Sequence, residues 1–77
     1  MKIKILTFAQ TRAQLGFDER VVDCEPSDTP RIILQRLAPK FDPGKTIRVA
    51  LDLEYADWDQ PVGGATELAL IPPVSGG

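Results

Sequence analysis

The sequence predicts an α+β domain in which one main helix covers one face of a mixed sheet. Three features predict it: a β-branched and aromatic N-terminal stretch, a capped amphipathic segment in the middle, and strict alternation of apolar and polar residues around position 50. A chain of 77 residues builds only one hydrophobic core. We therefore expect a single domain over residues 1–77.

The first two strands are predicted at residues 2–9 and 19–25. The first is rich in β-branched and aromatic residues, and a short polar stretch then leads to Gly16, which suggests a turn. The second holds Val21 and Val22 between charged residues, and Pro26 prevents it from continuing as a central strand. We expect the two strands to pair as a hairpin.

A helix is predicted to begin after Ser27. Asp28 or Thr29 can cap it, and Pro30 fits the first turn because that position needs no N–H donor. Pro39 is expected to end or kink the helix. Apolar residues follow at spacings of three and four, and they give the helix one face to lay on a sheet: Ile33, Leu34, Leu37, Ala38 and Phe41.

Residues 47–55 alternate between apolar and polar side chains, as in a strand. Alternation alone does not distinguish one strand from two joined by a turn at residues 52–54, and we favour two short strands. Gly63-Gly64 then predicts a turn, and residues 67–71 a last strand. Pro72 and Pro73 end that strand because they lack N–H donors. This order of elements is typical of the ubiquitin-like β-grasp fold.

Composition excludes several classes of function. The chain has no histidine, which rules out His-dependent nucleophilic triads and His-based metal sites, and no metal site is expected. Cys24 stands alone between Asp23 and Glu25, whose charges would raise the pKa of the thiol, so a structural role is favoured. The charges of Asp57 and Asp59 are interpreted as solvated loop charges.

Charge and hydropathy also bear on partners and location. The net charge is -2 and no Lys/Arg cluster is present, which argues against nucleic acid as a partner. No apolar run approaches the roughly 18 residues of a membrane span. The N-terminus lacks the features of a secretory signal, so we expect mature protein from Met1. A lone cysteine suits the reducing cytoplasm.

The C-terminal segment is the remaining candidate for chemistry. Beyond Pro73, the last four residues can extend on the order of 13 Å, at about 3.3 Å per residue. Gly76 and Gly77 have no Cβ, so a narrow channel in a partner can close around them. A terminal carboxylate is unreactive until it is activated, which implies an activating enzyme. The alternative is that this segment is an ordinary frayed terminus.

Two sets of residues carry a resemblance to a known family. The first is Phe8-Ala9-Gln10 followed by Arg12 and Gly16, and the second is Asp59-x-Pro61, Glu67 and the closing Ile-Pro-Pro-Val-Ser-Gly-Gly. In these segments the chain resembles the small subunits of molybdopterin synthase, which are MoaD-like sulfur carriers of the ubiquitin-like MoaD/ThiS family. The resemblance runs along most of the chain, and its closing segment is the more specific part.

The resemblance implies a reaction at the C-terminus. An E1-like activating enzyme would use ATP to adenylate Gly77, and sulfur would then replace one oxygen to give a thiocarboxylate. No permanently bound cofactor is implied. The large synthase subunit would accept the tail in a heterotetramer, supply the catalytic side chains and pass the sulfur to the molybdopterin precursor. Residues 72–77 would form a flexible functional tail. The residues that thread into the partner ahead of Gly77 would be Pro72, Pro73, Val74, Ser75 and Gly76.

The resemblance also implies that Phe8, Arg12 and Ile71 help to form the docking surface, although a buried Phe8 and a turn-forming Arg12 are comparable readings. The chain departs from the family pattern at Ile71, where an aromatic residue is expected, and at Asp52, where asparagine is expected. The segment 39–46 is also short. These departures concern partner contacts and not the terminal glycines.

Three other functions remain open at this point. A related carrier would deliver sulfur to thiamin, to a tungsten-containing pterin or to another acceptor. A ubiquitin-like modifier would join the same activated carboxylate to lysines of target proteins. A plain interaction module of the same fold would use a folded surface and would not need Gly77.

Overall fold

The computed structural model of the protein describes residues 1–73, in which a five-stranded mixed sheet is accompanied by two helices. The strand order is β2-β1-β5-β3-β4, with β1 and β5 parallel and the other neighbouring strands antiparallel. The predicted mixed sheet of β-grasp type is confirmed. The elements are β1 (Lys2–Thr7), α1 (Ala9–Leu15), β2 (Glu19–Asp23), α2 (Pro30–Leu37), β3 (Arg48–Leu51), β4 (Glu54–Ala56) and β5 (Glu67–Ile71).

The core lies between the sheet and α2. Every second residue of β1, β3 and β5 faces α2, so the strands contribute alternate side chains to one cluster. Burying an aliphatic side chain of this kind stabilises the fold by about 1.5–3 kcal/mol relative to leaving it exposed. The most deeply buried members of the cluster are Ile3, Ile5, Ile33, Val49, Leu68 and Leu70.

The main helix, α2, begins as the sequence predicts. The hydroxyl oxygen of Thr29 accepts a hydrogen bond from the N–H of Ile32 at 3.2 Å, and Pro30 occupies the first turn. The helix ends at Leu37, two residues before Pro39. Ala38 has a non-helical backbone (φ -142°, ψ 80°), because a following proline disfavours the helical conformation.

The predicted helical face was therefore too long at its C-terminal end. Ala38 and Phe41 lie beyond the last helical residue, although Phe41 still packs against the core from the loop. The N–H of Ala38 donates to the carbonyl of Leu34 at 2.8 Å, and the N–H of Phe41 donates to the carbonyl of Ala38 at 2.9 Å. A turn after the helix thus places Phe41 on the apolar side without a further helical turn.

The segment between β1 and β2 corrects the sequence prediction. Residues 9–15 form α1 where a strand end and a turn were expected, and β1 ends at Thr7. Gly16 ends α1 with φ 82°, and its N–H donates to the carbonyl of Arg12 at 2.8 Å. The strands β1 and β2 are antiparallel as predicted, but a helix joins them and not a tight turn.

The two predicted short strands, β3 and β4, are confirmed. They are joined through Asp52 and Leu53, which have φ of 49° and 72°. A side-chain oxygen of Asp52 accepts hydrogen bonds from the N–H of Thr66 at 3.0 Å, the N–H of Glu67 at 3.0 Å and the hydroxyl of Thr66 at 3.2 Å. The turn is thereby fastened to the start of β5.

Candidate functional site

The described part of the chain ends just after β5. Ile71 is the last strand residue, Pro72 is half-buried and Pro73 is exposed. Neither proline has an N–H, so the ladder of hydrogen bonds cannot continue past Ile71 in the usual way. The other residues of the predicted tail, Val74, Ser75, Gly76 and Gly77, lie outside the described residues. We call this end of the sheet, at Ile71, Pro72 and Pro73, the tail exit.

Phe8 lies at the same end of the sheet. Since β1 and β5 are parallel and Thr7 is in register with Leu70, Phe8 and Ile71 each follow directly at the same edge. Phe8 is 49% exposed, so the alternative of a buried Phe8 is wrong. Ile71 is half-buried. The topology therefore brings two of the three predicted docking residues together beside the tail exit.

Thr11 holds this end of the molecule in place. Its hydroxyl accepts from the N–H of Phe8 at 2.9 Å, donates to the carbonyl of Phe8 at 2.8 Å and lies 3.4 Å from the carbonyl of Leu70. It is fully buried. Ala9, between them, has φ 47°, a conformation that a residue with a Cβ rarely adopts. The first turn of α1 is thus tied to β5 one residue before Ile71.

Arg12, the third predicted docking residue, lies in α1 and not in a turn. Its guanidinium is within 3.2 Å of the carboxylate of Asp18, and both side chains are largely exposed. An exposed pair of this kind adds little to stability, in the range of about 0–1 kcal/mol. Arg12 follows Phe8 by one helical turn, so it lies on the margin of the exit region.

The sheet surface opposite α2 continues from the exit, and we call it the open face. Because side chains alternate along each strand, the residues of the open face point away from the core. Tyr55 is 66% exposed on this face. The guanidinium of Arg48 lies over the ring of Tyr55, 4.9 Å from its centroid. Next to the exit, the open face consists of Leu6, Arg48, Ala50, Tyr55, Ala69 and Ile71.

Tyr55 and Arg48 were not singled out from the sequence. An uninterrupted strand would have put Tyr55 on the same face as Val49 and Leu51, in the core. The turn at Asp52 and Leu53 changes this, because β4 folds back so that Tyr55 is opposite Ala50. The signal that could have revealed Tyr55 is therefore the turn itself, combined with the rule that directly opposed residues share a face.

The side chains that the sequence analysis weighed as reactive groups are placed as follows. Cys24 is buried, and burial is the main reason that the pKa of its thiol is raised. Asp59 hydrogen-bonds Arg31 at 2.8 Å, which lowers the pKa of the carboxyl group and explains this loop charge as structural. Within residues 1–73, no group of three or more His, Cys, Asp or Glu side chains is placed to hold a metal ion.

Both helices are short. Neither helix within the described part of the chain has the length and apolar character required to cross a bilayer. The seven residues of α1 and the eight of α2 are each far below the roughly 20 residues that a transmembrane helix needs.

Comparison with known proteins decides the family. The model of the ThiS family matches residues 5–77. The chain belongs to the ThiS family. This member of the ThiS family is also 33% identical, over 81 aligned positions, to the molybdopterin synthase sulfur carrier subunit of Arabidopsis thaliana. The alignment covers 100% of this chain and 84% of the Arabidopsis protein, and the resemblance inferred from the sequence is confirmed.

Solved structures place this ThiS-family protein among β-grasp proteins. It resembles small archaeal modifier protein 1 of Haloferax volcanii with a TM-score of 0.76 and 25% identity, covering 95% of this chain and 98% of that one. It also resembles a chain in the complex of subunits 1 and 2 of molybdopterin-converting factor from Helicobacter pylori, with a TM-score of 0.65, 21% identity and full coverage of both chains. The second likeness shows the fold alone.

Proposed function

We propose that the protein is the sulfur-carrying small subunit of molybdopterin synthase. The observation that carries the proposal is the identity of 33% along the whole chain to a protein of that name. The closing Pro-Pro-Val-Ser-Gly-Gly supports it, because two glycines after a stiff pair of prolines suit a tail that enters another protein. In this proposal Gly77 is the working residue.

The chemistry takes place at the C-terminal carboxylate. A carboxylate oxygen of Gly77 attacks the α-phosphorus of ATP on an E1-like activating enzyme, and pyrophosphate leaves. A sulfur nucleophile then attacks the resulting acyl adenylate and displaces AMP, so that one oxygen is replaced by sulfur. The molybdopterin precursor takes up the sulfur of the thiocarboxylate, and water supplies the oxygen that restores the carboxylate of Gly77. ATP is consumed by the activating partner, and the carrier itself holds no permanent cofactor.

Partner proteins supply the side chains that catalyse these steps. The activating enzyme charges Gly77, and the large synthase subunit receives the charged tail, in a heterotetramer assembled in the cytoplasm. The Arabidopsis relative is named as a subunit, and the Helicobacter protein of related fold occurs with its subunit 2. The likeness to the Arabidopsis subunit supports an assembly of this kind, in which we propose that the small subunit is a cosubstrate.

The open face supports docking in the right orientation. Phe8 and Ile71 lie beside the tail exit, and Tyr55 lies on the same surface, with 49% of Phe8 and 66% of Tyr55 exposed. Exposed aromatic residues are typical anchors of protein interfaces. Four extended residues can reach on the order of 13 Å. A partner that covers this surface can therefore hold its own active site within reach of Gly77.

Intact-mass analysis tests the proposal. The protein is incubated with the activating enzyme, ATP and a sulfur donor, and we expect the mass increase of one exchange of oxygen for sulfur. Omission of ATP should prevent the increase. The charged protein should then lose this mass when the large subunit and the molybdopterin precursor are added. A chain that remains unchanged with a competent activating enzyme would refute the proposal.

A protein modifier is the second candidate, and the likeness to small archaeal modifier protein 1 favours it. The same activated Gly77 would form an isopeptide bond with a lysine of a target. Proteomics of the native cell distinguishes the two functions, because a modifier leaves Gly-Gly remnants on many lysines whereas a dedicated carrier leaves few or none. Copurification with a large synthase subunit separates the proposed pathway from carriers for thiamin or a tungsten-containing pterin.

A further inference from the structure

Arg48 places a positive charge next to the tail exit. It is exposed, it is in register with Ile71 across β3 and β5, and its guanidinium lies 4.9 Å from the centroid of the Tyr55 ring. Ile71 and Tyr55 thus flank the charge on the open face. The attraction between a guanidinium and the face of an aromatic ring holds the charge in a defined place.

The other arginines are arranged differently. Arg12, Arg31 and Arg36 each have a carboxylate partner at 2.8–3.2 Å. Within residues 1–73, Arg48 takes part in none of the ion pairs, although Asp57 lines the same shallow depression. Arg20 is also stacked, 4.8 Å from the centroid of the Phe17 ring.

Arg20 therefore matches Arg48 in chemistry but not in location. Arg20 is in register with the core residue Ile5, so it lies on the α2 side of the sheet, at the edge strand β2. By the same alternation, the open face also carries Asp23 and Glu19 on β2 and Glu67 on β5. The carboxylates of β2 are three strands from Arg48, or roughly 14 Å at ~4.8 Å per strand. Glu67 is four residues along β5 from Ile71, the residue opposite Arg48, or roughly 13 Å at ~3.3 Å per residue.

Covering Arg48 has an energetic consequence. A partner that packs on Tyr55 and Ile71 removes water from the guanidinium between them, and a desolvated charge without a counter-charge opposes binding. A carboxylate opposite Arg48 reverses this effect, because a guanidinium and a carboxylate form two parallel hydrogen bonds. A surface that is only apolar binds poorly at this position. Arg48 thus favours one class of partner surface and disfavours another.

We propose that Arg48 determines partner specificity: the large synthase subunit presents an Asp or Glu carboxylate to Arg48, bordered by apolar groups that cover Tyr55 and Ile71. This inference rests on the proposed function and names the chemistry of its partner surface. Arg48 is a docking residue and takes no part in sulfur transfer. It selects the partner that is able to receive the tail.

Binding measurements with matched variants test the inference. Arg48→Gln keeps a polar side chain without the charge, and we expect the Kd for the large subunit of the same organism to rise about tenfold or more. Arg20→Gln should change it less than about twofold. Raising the salt concentration should weaken wild-type binding more than that of Arg48→Gln, because only the wild type has the charge pair.

Cross-linking identifies the carboxylate directly. In Arg48→Lys the new amine can form an amide with a neighbouring carboxylate activated by a water-soluble carbodiimide, whereas arginine does not react in this way. Peptide mapping should find position 48 joined to an Asp or Glu of the large subunit. The Arg20→Lys variant, treated in the same way, should give no cross-link at position 20.

The outcomes separate this inference from the proposed function. If wild-type protein accepts sulfur and binds the large subunit, but Arg48→Gln binds as tightly as Arg20→Gln, the inference is overturned and the proposed function stands. A cross-link at position 20 equal to that at position 48 also overturns it. If wild-type protein is not charged and binds no large subunit, the proposed function fails first.

Discussion

The loop between β4 and β5 and the open face next to the tail exit differ in how their side chains are used. In the loop, polar groups are joined to the scaffold: Asp59 accepts from Arg31 at 2.8 Å, the indole N–H of Trp58 donates to the carbonyl of Ile47 at 2.9 Å, and the N–H of Thr66 donates to Asp52 of the β3–β4 turn. On the open face, aromatic and cationic groups face solvent. The difference indicates which surface is available to a partner.

The same difference appears in the backbone. The loop is fastened to the region around α2 through Val62 and Gly63, whose N–H groups donate to the carbonyls of Asp28 and Pro26 at 2.8 and 2.9 Å. In the exit region, the first turn of α1 is held to β5 by the buried hydroxyl of Thr11, while Phe8 stays exposed. Substitutions in the scaffold should therefore act on stability, and substitutions at the exit should act on binding and transfer.

Removal of Gly77 should have the largest effect on function. The truncated chain ends at Gly76, one residue short, so its carboxylate does not reach the position at which the activating enzyme presents ATP. We expect complete loss of thiocarboxylate formation by intact mass, with the thermal unfolding midpoint unchanged. A truncated chain that is charged as efficiently as wild type would favour an interaction module that does not need its terminus.

Leu68→Ala should have the largest effect on stability. Leu68 is fully buried in β5, and a substitution of this kind leaves a cavity that costs about 2–5 kcal/mol of the free energy of unfolding. Leu53→Ala is the control, since Leu53 is 89% exposed at the β3–β4 turn and should change stability by less than about 0.5 kcal/mol. Urea denaturation measures both. Equal losses would contradict the assignment of core and surface.

Much of the scaffold could be predicted from the sequence, because it follows local rules. The cap at Thr29, the proline at position 30 and the bounds of β5 at 67–71 all agree with the structure. Helix α1 could not be predicted from the sequence, because its seven residues are too few to show a helical period and its first residue has a positive φ. This helix is stabilised by a contact between residues far apart in the sequence, Thr11 and Leu70.

Less of the candidate site than of the scaffold could be predicted from the sequence. The tail motif and the positions of Phe8, Arg12 and Ile71 came from family resemblance, and parallel pairing of β1 and β5 brings Phe8 and Ile71 to one edge. Tyr55 depended on the path of the chain through the β3–β4 turn, which decides the face on which the next strand shows each side chain. Alternation in the sequence shows that a segment is a strand, but it does not show which face of the sheet each side chain takes after a turn.

Tyr55→Ala tests the open face as a docking surface. The ring is exposed, so its removal should change the free energy of unfolding by less than about 1 kcal/mol, whereas loss of an aromatic anchor weakens binding by about 2 kcal/mol or more. Titration calorimetry with the large subunit measures the second quantity. Leu53→Ala, on the same hairpin, should bind as wild type does. Equal weakening by both variants would place the interface elsewhere.

The smallest expected effect concerns Asp52, on the scaffold side of the comparison. Hydrogen bonds from the backbone N–H groups of Thr66 and Glu67 lower the pKa of its carboxyl group below the usual 3.8. The folded state therefore binds this proton less readily than the unfolded state. The stabilisation is present above pH ~4 and is lost as the pH falls through the lower pKa of the folded protein.

Asp52→Asn should remove this pH dependence while keeping the turn. The amide oxygen still accepts from Thr66 and Glu67, and asparagine tolerates a positive φ as well as aspartate does. In urea titrations, wild type should lose stability relative to the variant as the pH falls from about 5 to about 3, where the aspartate becomes protonated. Asp52→Ala should be less stable than both at neutral pH, because two N–H groups lose their acceptor. A difference between wild type and Asp52→Asn that stays constant over this range would show that the carboxylate charge contributes nothing and that the hydrogen-bond geometry alone fastens the turn to β5.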